Sequence, residues 1–204
     1  MLVTAGPTRE YVDPVRYLSN ESSGRMGFAI ATAAVEAGHR VTLIAGPCAL
    51  ETPAGVERVD VLSARDLLAA CRRAFVDTDV LYMAAAVADW RPRRRLAGKW
   101  RAKDSGADTA TLELVKNPDV LATLAKRKQQ RLVVGFALET GDGRRRAQLK
   151  RRRKNLDYVV LNDESALNAR TTSVTILGPD DYERRLERKT KTTVARALVQ
   201  LASR

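Results

Sequence analysis

The fold of this chain is decided by residues 2–46, which read LVTAGPTREYVDPVRYLSNESSGRMGFAIATAAVEAGHRVTLIAG. Residues 2–6 form a short apolar run that ends in Gly-Pro, which is typical of a buried strand followed by a loop. A helix-capping signal follows at Ser22 and Ser23, and small and apolar residues then recur at helical spacing until Gly38. Residues 40–45 predict a second strand. This stretch therefore predicts a unit of strand, long loop, helix and strand.

The same alternation of strands and helices continues along the rest of the chain. The predicted strands are 55–62, 79–86, 111–115, 131–139, 158–162 and a late antiparallel strand, 173–177. The predicted helices are 64–75, a helix that Asn117 caps and Pro118 opens, 143–154 and a closing helix over about 192–202. This alternation predicts one α/β domain over residues 1–204, with a doubly wound, mainly parallel, Rossmann-like sheet. A basic flap over about 91–110 and an excursion over about 165–181 interrupt the pattern.

The positive charge of the chain is concentrated in one segment. The sequence has 36 Lys and Arg against 24 Asp and Glu, a formal net charge of +12. Residues 91–154 hold 20 of the basic and 6 of the acidic residues, which leaves 16 and 18 for the rest of the chain. Such a segment suggests nucleic-acid binding, although basic and aromatic residues do not alternate in it as they do in many single-strand binders. Nucleic-acid binding therefore remains an alternative function.

Cysteine and histidine usage excludes several classes of protein. Cys48, Cys71 and the single His39 do not form a standard zinc-ligand pattern or a disulfide framework. The sequence contains no run of 18 apolar residues and no signal-peptide pattern at Met1. We therefore expect a soluble, cytoplasmic protein without a membrane anchor.

Polar residues of interest fall at the carboxyl ends of the predicted strands, where open α/β sheets bind their ligands. Neither a Gly-x-Gly-x-x-Gly fingerprint nor a Walker A sequence is present. The small residues 22–27 either hold a phosphate at a helix start or simply cap that helix. Asp89 either accepts hydrogen bonds from ribose hydroxyls, or helps to hold a metal, or is a solvated loop aspartate. Lysines such as Lys150 and Lys154 suit a polyphosphate, and their spacing of four places them on one helix face.

Seven short motifs make the chain recognisable as a member of one family. They are TAGPTRE at 4–10, DPVRYLSN at 13–20, SSGRMG at 22–27, AAVAD at 85–89, LVKNPD at 114–119, GFALET at 135–140 and KNLD at 154–157. In this order they resemble bacterial phosphopantothenoylcysteine synthetase, the ligase half of the bifunctional coenzyme A biosynthesis protein. The resemblance covers nearly the whole chain. The flavin-dependent decarboxylase half that normally precedes this domain is absent from the sequence, so a separate or fused decarboxylase is an expected partner.

The resemblance implies a ligase that joins 4′-phosphopantothenate to L-cysteine. CTP would activate the carboxylate as an acyl-cytidylate, and the cysteine amine would then displace CMP. The implied cofactor is Mg²⁺ or Mn²⁺, with metal ligands unknown, and the implied assembly is a homodimer. An ATP-dependent relative of the same ligase is the nearest alternative.

The resemblance also implies the site residues. Asn20 matches an asparagine associated with the acyl-cytidylate, and Arg16 lies in the same motif, where it would assist with phosphate or carboxylate. The positions that match nucleotide-contacting residues are Met83, Ala84, Ala85, Asp89, Lys99, Lys116, Asn117, Pro118, Asp119, Phe136, Lys150 and Lys154. The motif that begins at Lys99 departs from the usual Lys-Ile-Lys-Lys of the flap, so the equivalence of Lys103 is open.

Overall fold

The computed structural model describes residues 1–101, 108–139, 141–162 and 171–203. Its strands are β1 Leu2–Ala5, β2 Arg9–Tyr11, β3 Tyr17–Ser19, β4 Val41–Ala45, β5 Val56–Asp60, β6 Val80–Met83, β7 Trp90–Pro92, β8 Leu114–Lys116, β9 Leu132–Leu138, β10 Tyr158–Asn162, β11 Thr171–Leu177 and β12 Glu183–Thr190. Its α-helices are α1 Arg25–Glu36, α2 Ala64–Ala74, α3 Val120–Ala125, α4 Gly143–Arg153 and α5 Lys191–Val199.

Eight strands form the central sheet, in the order β12-β11-β10-β9-β6-β1-β4-β5. Six neighbouring strands of this sheet are parallel to one another: β10, β9, β6, β1, β4 and β5. The strands β11 and β12 add an antiparallel edge beside β10. In chain order the parallel strands follow the 3-2-1-4-5-6 arrangement of dinucleotide-binding folds, whose strand order reverses between β1 and β6. The predicted doubly wound, mainly parallel, Rossmann-like sheet with a late antiparallel strand is confirmed.

Helices cover both faces of this sheet because the strands are apolar on both sides. One core cluster joins α1 and α5 to one face through residues such as Ile30 and Leu198. A second cluster joins α2 and α3 to the other face through residues such as Leu67 and Leu121. The alternate residues Leu2 and Val3 of β1 belong to the two different clusters, and both side chains are fully buried.

Three features of the fold differ from the prediction. The loop expected after β1 contains a small hairpin, in which β2 pairs with β3. The basic flap begins and ends in a second small sheet, in which β7 pairs with β8, and residues 102–107 of the flap, including Lys103, lie outside the described part of the chain. The edge strand β12 was not predicted because its sequence, ERRLERKT, is charged and lacks an apolar alternation. Residues 163–170 of the excursion also lie outside the described part.

The predicted caps of two helices are wrong. α1 is capped by Gly24, which adopts the left-handed conformation at φ 75°, instead of by Ser22 or Ser23. α3 begins later than expected, because the side chain of Asp119 accepts a hydrogen bond from the Ala122 amide and so replaces Asn117 as the cap. No helix in the described ranges is long and apolar enough to cross a membrane.

Candidate functional site

The candidate site lies at the carboxyl edge of the sheet, where β1 and β6 diverge. The backbone after β6 is held beside β1 by hydrogen bonds from the Ala85 amide to Thr4 Oγ1 at 3.1 Å and from the Ala88 amide to Thr8 Oγ1 at 3.0 Å. The Ala86 amide also donates to the Gly6 carbonyl at 2.9 Å. The short alanine side chains of this segment leave its backbone open to a planar ring. This is the crevice at which such folds bind their ligands.

Two adjoining cavities open at this edge. The first, which we call the Lys154 cavity, has a volume of about 440 Å³ and is lined by Lys150, Lys154, Asp119 and the 116–118 loop, among others. The second, which we call the Asn20 cavity, has a volume of about 580 Å³ and reaches from Asn20 to α5. Both cavities are lined by Ala85, Val87, Asp89, Phe136 and Lys150. A single extended ligand could therefore occupy both.

Lys150 occupies the wall that the two cavities share. Its Nζ donates a hydrogen bond to the Phe136 carbonyl at 2.6 Å. Burial lowers the pKa of Lys150, and the charge of Lys154 lowers it further, against the opposing influence of Glu139, Asp119 and Asp89. The side chain is thus a desolvated cation that gains from the arrival of an anion.

Lys154 follows the last residue of α4, one turn beyond Lys150, and pairs with Asp119 at 2.7 Å between Nζ and Oδ2. Burial by itself would raise the pKa of Asp119. The hydrogen bonds from Lys154 and the Ala122 amide, with the charges of Lys154 and Lys150, hold that pKa below its ordinary value. Asp119 therefore anchors Lys154 beside the cavity while it caps α3.

Asn117 is committed to holding the site together. Its Nδ2 donates to the Ala88 carbonyl at 2.8 Å, and its Oδ1 accepts from Arg91 Nη1 at 3.2 Å. Its backbone amide donates to the Asp89 carbonyl at 2.8 Å. Asn117 thus joins β8 to the segment after β6. The neighbouring Lys116 lies over an aromatic side chain, with its Nζ 5.7 Å from the centre of the Trp90 ring.

Asn20 follows the β2–β3 hairpin and faces the other cavity. Its Nδ2 donates to the Val87 carbonyl at 3.0 Å, and the preceding Ser19 hydroxyl donates to the Thr8 carbonyl at 2.8 Å. The amide oxygen of Asn20 has no protein partner among the described residues. The hairpin therefore fixes the side chain of Asn20 on the cavity wall with one acceptor available.

Arg16 and Lys99 are the sequence-predicted site residues that line neither cavity in the described ranges. Arg16 Nη1 donates to the Trp100 carbonyl at 2.7 Å and to Asp13 Oδ2 at 3.3 Å. Asp13 is fully buried and also accepts from the Trp100 amide at 2.9 Å. Burial by itself would raise the pKa of Asp13. Hydrogen bonds from the backbone amides of Trp100, Val15 and Arg16, together with the charge of Arg16, hold that pKa below its usual value. The pair ties the base of the flap to the hairpin.

All other predicted site residues line one or both cavities. These are Asn20, Met83, Ala84, Ala85, Asp89, Lys116, Asn117, Pro118, Asp119, Phe136, Lys150 and Lys154. Arg25, from the segment 22–27 that the sequence offered as a phosphate site, also lines the Asn20 cavity. Sequence reasoning missed Thr172 and Lys191, which line the same cavity. Thr172 and Lys191 belong to the antiparallel edge and to the helix that follows it, so only the folding of β11 and β12 against the sheet brings them to the site.

Several arginines of the basic segment are paired on the surface. Arg144, Arg145 and Arg146 form ion pairs with Glu183, Asp142 and Glu139. Arg93 pairs with Glu113 across the small sheet of the flap. These pairs are exposed, and each neutralises part of the positive charge that suggested nucleic-acid binding.

No group of three or more His, Cys, Asp or Glu side chains in the described ranges could hold a metal ion. Asp89 nevertheless places one carboxylate on the wall of both cavities. Mg²⁺ is usually held by one or two carboxylates together with the phosphates of its substrate. The residues present therefore fit a magnesium ion that arrives with a nucleotide.

Comparison with known proteins identifies relatives along the whole chain. The family model described as the DNA/pantothenate metabolism flavoprotein C-terminal domain matches residues 1–204. The coenzyme A biosynthesis bifunctional protein CoaBC of Escherichia coli K12 is 47% identical over 166 residues, which are 81% of this chain and 41% of that protein. CoaBC of Bacillus subtilis strain 168 is 40% identical over 205 residues, which are 98% of this chain and 50% of that protein. The chain thus spans about half the length of these relatives or less.

Solved structures give the same result. The crystal structure of the C-terminal domain of a CoaBC protein superposes with a TM-score of 0.85 at 39% identity, and the match covers 99% of this chain and 93% of that one. A mutant of Cab2 in complex with phosphopantothenate-cysteine has a TM-score of 0.79 at 18% identity, over 99% of this chain and 86% of that one. At that identity, the Cab2 structure shows a shared fold alone.

Proposed function

Because the chain belongs to the family of DNA/pantothenate metabolism flavoprotein C-terminal domains, we propose that it is the ligase that joins 4′-phosphopantothenate to L-cysteine, with CTP as the energy source. The similarity to CoaBC proteins and to the solved CoaBC C-terminal domain supports the ligase activity. The observation that carries the proposal is the position of Lys150, a half-buried cation on the wall shared by two cavities, with Asn20 on one side and Lys154 on the other.

The reaction requires two displacements and no protein nucleophile. A carboxylate oxygen of phosphopantothenate attacks the α-phosphorus of CTP, and the bond from that phosphorus to the bridging oxygen breaks, so that pyrophosphate leaves with the electron pair. The cysteine amine then attacks the acyl carbon of the acyl-cytidylate. The bond from carbon to the CMP oxygen breaks, CMP leaves, and the amine proton passes to solvent. The product is an amide.

Charge stabilisation is the main task of the protein in the first displacement, because two anions must approach each other. Lys150 is positioned to neutralise phosphate oxygens at the junction of the cavities, and its partial desolvation strengthens that attraction. Lys154, which Asp119 anchors, adds a second cation on the same face of α4. The open alanine backbone after β6 suits a cytosine ring, with Asp89 beside the ribose.

In this proposal, Asn20 forms a hydrogen bond with the acyl-cytidylate intermediate. Its Nδ2 is held by the Val87 carbonyl, which fixes the plane of the amide. This orientation suits hydrogen bonding to the carbonyl or phosphate of the acyl-cytidylate. Arg16 and Lys99 act through the flap: Arg16 holds the backbone of Trp100, the residue that follows Lys99.

Mg²⁺ or Mn²⁺ belongs to the proposal as a companion of CTP. Asp89 is the residue that would hold it, together with the phosphates of the nucleotide. The ion would supply further neutralisation of phosphate charge. We also propose that the protein is cytoplasmic and acts as a homodimer, and that it works with a flavin-dependent decarboxylase. In support, the CoaBC relatives are named as bifunctional proteins, and this chain matches only about half of their length or less.

Pyrophosphate release tests this function. Purified protein is supplied with CTP, Mg²⁺, 4′-phosphopantothenate and cysteine, and pyrophosphate and the amide product are measured. We expect both to form with CTP and to be much reduced when ATP replaces it. Equal rates with ATP would favour the ATP-dependent relative, and no pyrophosphate with either nucleotide would refute the ligase.

The lysine at the cavity junction tests the site itself. Lys150→Met is expected to lower kcat/KM for CTP by about a hundredfold, because it removes a charged hydrogen-bond donor worth up to about 3 kcal/mol. Lys126→Met is the matched control, since Lys126 is exposed at the end of α3 and lines neither cavity. Equal losses for the two variants would remove Lys150 from the site.

A further inference from the structure

A closed ring of three hydrogen bonds joins Asn20 to the segments that follow β1 and β6. Thr8 Oγ1 accepts a hydrogen bond from the Ala88 amide at 3.0 Å, and the Thr8 carbonyl accepts one from the Ser19 hydroxyl at 2.8 Å. Asn20, the residue after Ser19, donates from its Nδ2 to the Val87 carbonyl at 3.0 Å. Because Val87 directly precedes Ala88 in the chain, this series of contacts returns to its starting point. We call it the Thr8 ring.

Thr8 anchors this ring in the core of the protein. Its side chain is buried, with the residue only 1% exposed, and its own amide donates to the Ala86 carbonyl at 3.3 Å. The strand that follows Thr8 is attached to α2, because Glu10 Oε1 accepts a hydrogen bond from the Ala64 amide at 2.8 Å. Glu10 is itself only 4% exposed. The β2–β3 hairpin is therefore fixed at its base by buried contacts on either side.

Asn20 depends on this ring for its position, because its own surroundings are exposed. Tyr17, Ser19 and Asn20 all lie on the surface. A single hydrogen bond contributes little to holding an exposed side chain, because it must offset the conformational entropy that is lost when the side chain is ordered. The contact of Ser19 with Thr8 fixes the backbone beside Asn20, and the contact with Val87 fixes the plane of the side-chain amide. The two contacts together define where the amide oxygen of Asn20 lies.

We propose that Thr8 and Ser19 are positioning residues for Asn20 in the ligase reaction. Within the described ranges neither of them lines the Asn20 cavity or the Lys154 cavity, so they act through Asn20 and not on a ligand. The inference rests on the proposed function, in which Asn20 forms a hydrogen bond with the acyl-cytidylate. A displacement of about 1 Å in a reacting or binding group can lower a rate about a hundredfold. Two hydroxyls outside the cavities should therefore affect turnover.

Nuclear magnetic resonance tests the Thr8 ring without the ligase reaction. The side-chain amide signal of Asn20 is assigned by its loss in Asn20→Asp and is then followed in Ser19→Ala, Ser19→Thr and Thr8→Val. Ser19→Ala removes the hydroxyl and Ser19→Thr keeps it, whereas Thr8→Val keeps the shape of a buried side chain. We expect the Asn20 signal to move in Ser19→Ala and Thr8→Val and to stay near its wild-type position in Ser19→Thr.

Thr78→Val is the matched control for the loss of a buried threonine hydroxyl. Thr78 is 7% exposed, its Oγ1 donates to the Ala74 carbonyl at 2.7 Å, and it lines neither site cavity. The control should leave the Asn20 signal unchanged, although it also loses a hydrogen bond. Urea midpoints check that each variant is folded, and if Thr8→Val does not fold, Ser19→Ala at its exposed position decides the outcome.

Steady-state kinetics then separate a positioning role from a general loss of stability. We expect Ser19→Ala to lower kcat for amide formation about tenfold, in keeping with one lost hydrogen bond, with less than a twofold change in KM for CTP. Ser19→Thr should restore kcat, and Thr78→Val should not change it.

Each other outcome is decisive. An Asn20 signal that stays in place in the folded variants shows that the ring does not set the position of Asn20. A signal that moves while kcat is unchanged overturns the positioning role, and so does an equal loss of kcat in Thr78→Val. If the signal moves as expected but the wild-type chain forms no amide, the proposed function is wrong, whereas the dependence of Asn20 on Thr8 and Ser19 stands.

Discussion

Replacement of Gly27 by alanine tests how closely α1 must lie against β1. Gly27 is buried in the first turn of α1, directly beside the strand that begins the sheet. A Cβ added there would lie 2.5 Å from the Ala5 Cβ and 2.7 Å from the Thr4 carbonyl oxygen. Both neighbours belong to a fully buried strand, so no side-chain rotation can relieve these contacts.

The magnitude follows from two opposing terms. Carbon atoms in contact prefer a separation of about 3.5–4.0 Å, so α1 would have to retreat by roughly 1 Å. Overpacking of this kind costs about 1–3 kcal/mol, and contacts this short place Gly27→Ala at the upper end of that range. Alanine in place of glycine in a helix returns about 1 kcal/mol. The variant should therefore lose about 2 kcal/mol of the free energy of unfolding.

Urea unfolding followed by circular dichroism measures this change. Gly98→Ala is the matched control, because a Cβ there would meet no atom within 4 Å and the residue lies outside the helices. The control should be neutral or gain up to about 1 kcal/mol through the unfolded state. A Gly27→Ala variant as stable as the wild type, or more stable, would show that helix propensity outweighs packing at this position. The inference that α1 packs too closely against β1 to accept a Cβ at position 27 would then be wrong.

Three further predictions address the site and the core. Asn20→Asp should still bind CTP but fail to form the amide, because a carboxylate would repel the phosphate of the intermediate; normal turnover would exclude Asn20 from the mechanism. Asp119→Asn keeps a good helix cap and removes the charge. Because the native pKa of Asp119 is below its unfolded value, its stabilising effect is present above about pH 4 and is lost as the pH falls through the native pKa. The wild type should therefore lose more stability between pH 7 and pH 3 than the variant, and parallel urea midpoints would contradict the role of the pair with Lys154. Tyr82→Phe removes the buried hydrogen bond of 2.8 Å to the Leu198 carbonyl and should cost about 1 kcal/mol in urea unfolding, whereas no loss would mean that this bond contributes nothing.

Much of the parallel sheet could be predicted from local patterns. The apolar runs at β1, β4, β6, β9 and β10 are continuous because these strands are buried on both faces. The strands β2, β3 and β7 were not predicted, and β8 was predicted only as the overlapping range 111–115. Each has three residues and pairs within a small separate sheet, so its sequence carries no periodicity.

The capping errors have a similar origin. Serine is a favoured helix-capping residue, so Ser22 and Ser23 both resemble a cap. Gly24 caps α1 instead, because glycine can adopt the left-handed conformation that the chain needs there. Asparagine is also a favoured helix-capping residue, but the side chain of Asn117 instead donates a hydrogen bond to the Ala88 carbonyl, 29 residues away in the sequence. Competing partners that are distant in sequence are invisible to a local pattern.

The sequence by itself determined the α/β class, the Rossmann-like sheet, the family and twelve of the residues that line the two cavities, because short apolar runs and ordered motifs are local properties. Only the tertiary structure decided how the positive charge is used. Lys150 and Lys154 face the cavities, whereas Arg144–Arg146 pair on the surface. The tertiary structure also brings Arg25 and Lys191 together, because that requires two helices 166 positions apart to begin at one sheet edge. Such a meeting depends on strand order, which no local pattern encodes.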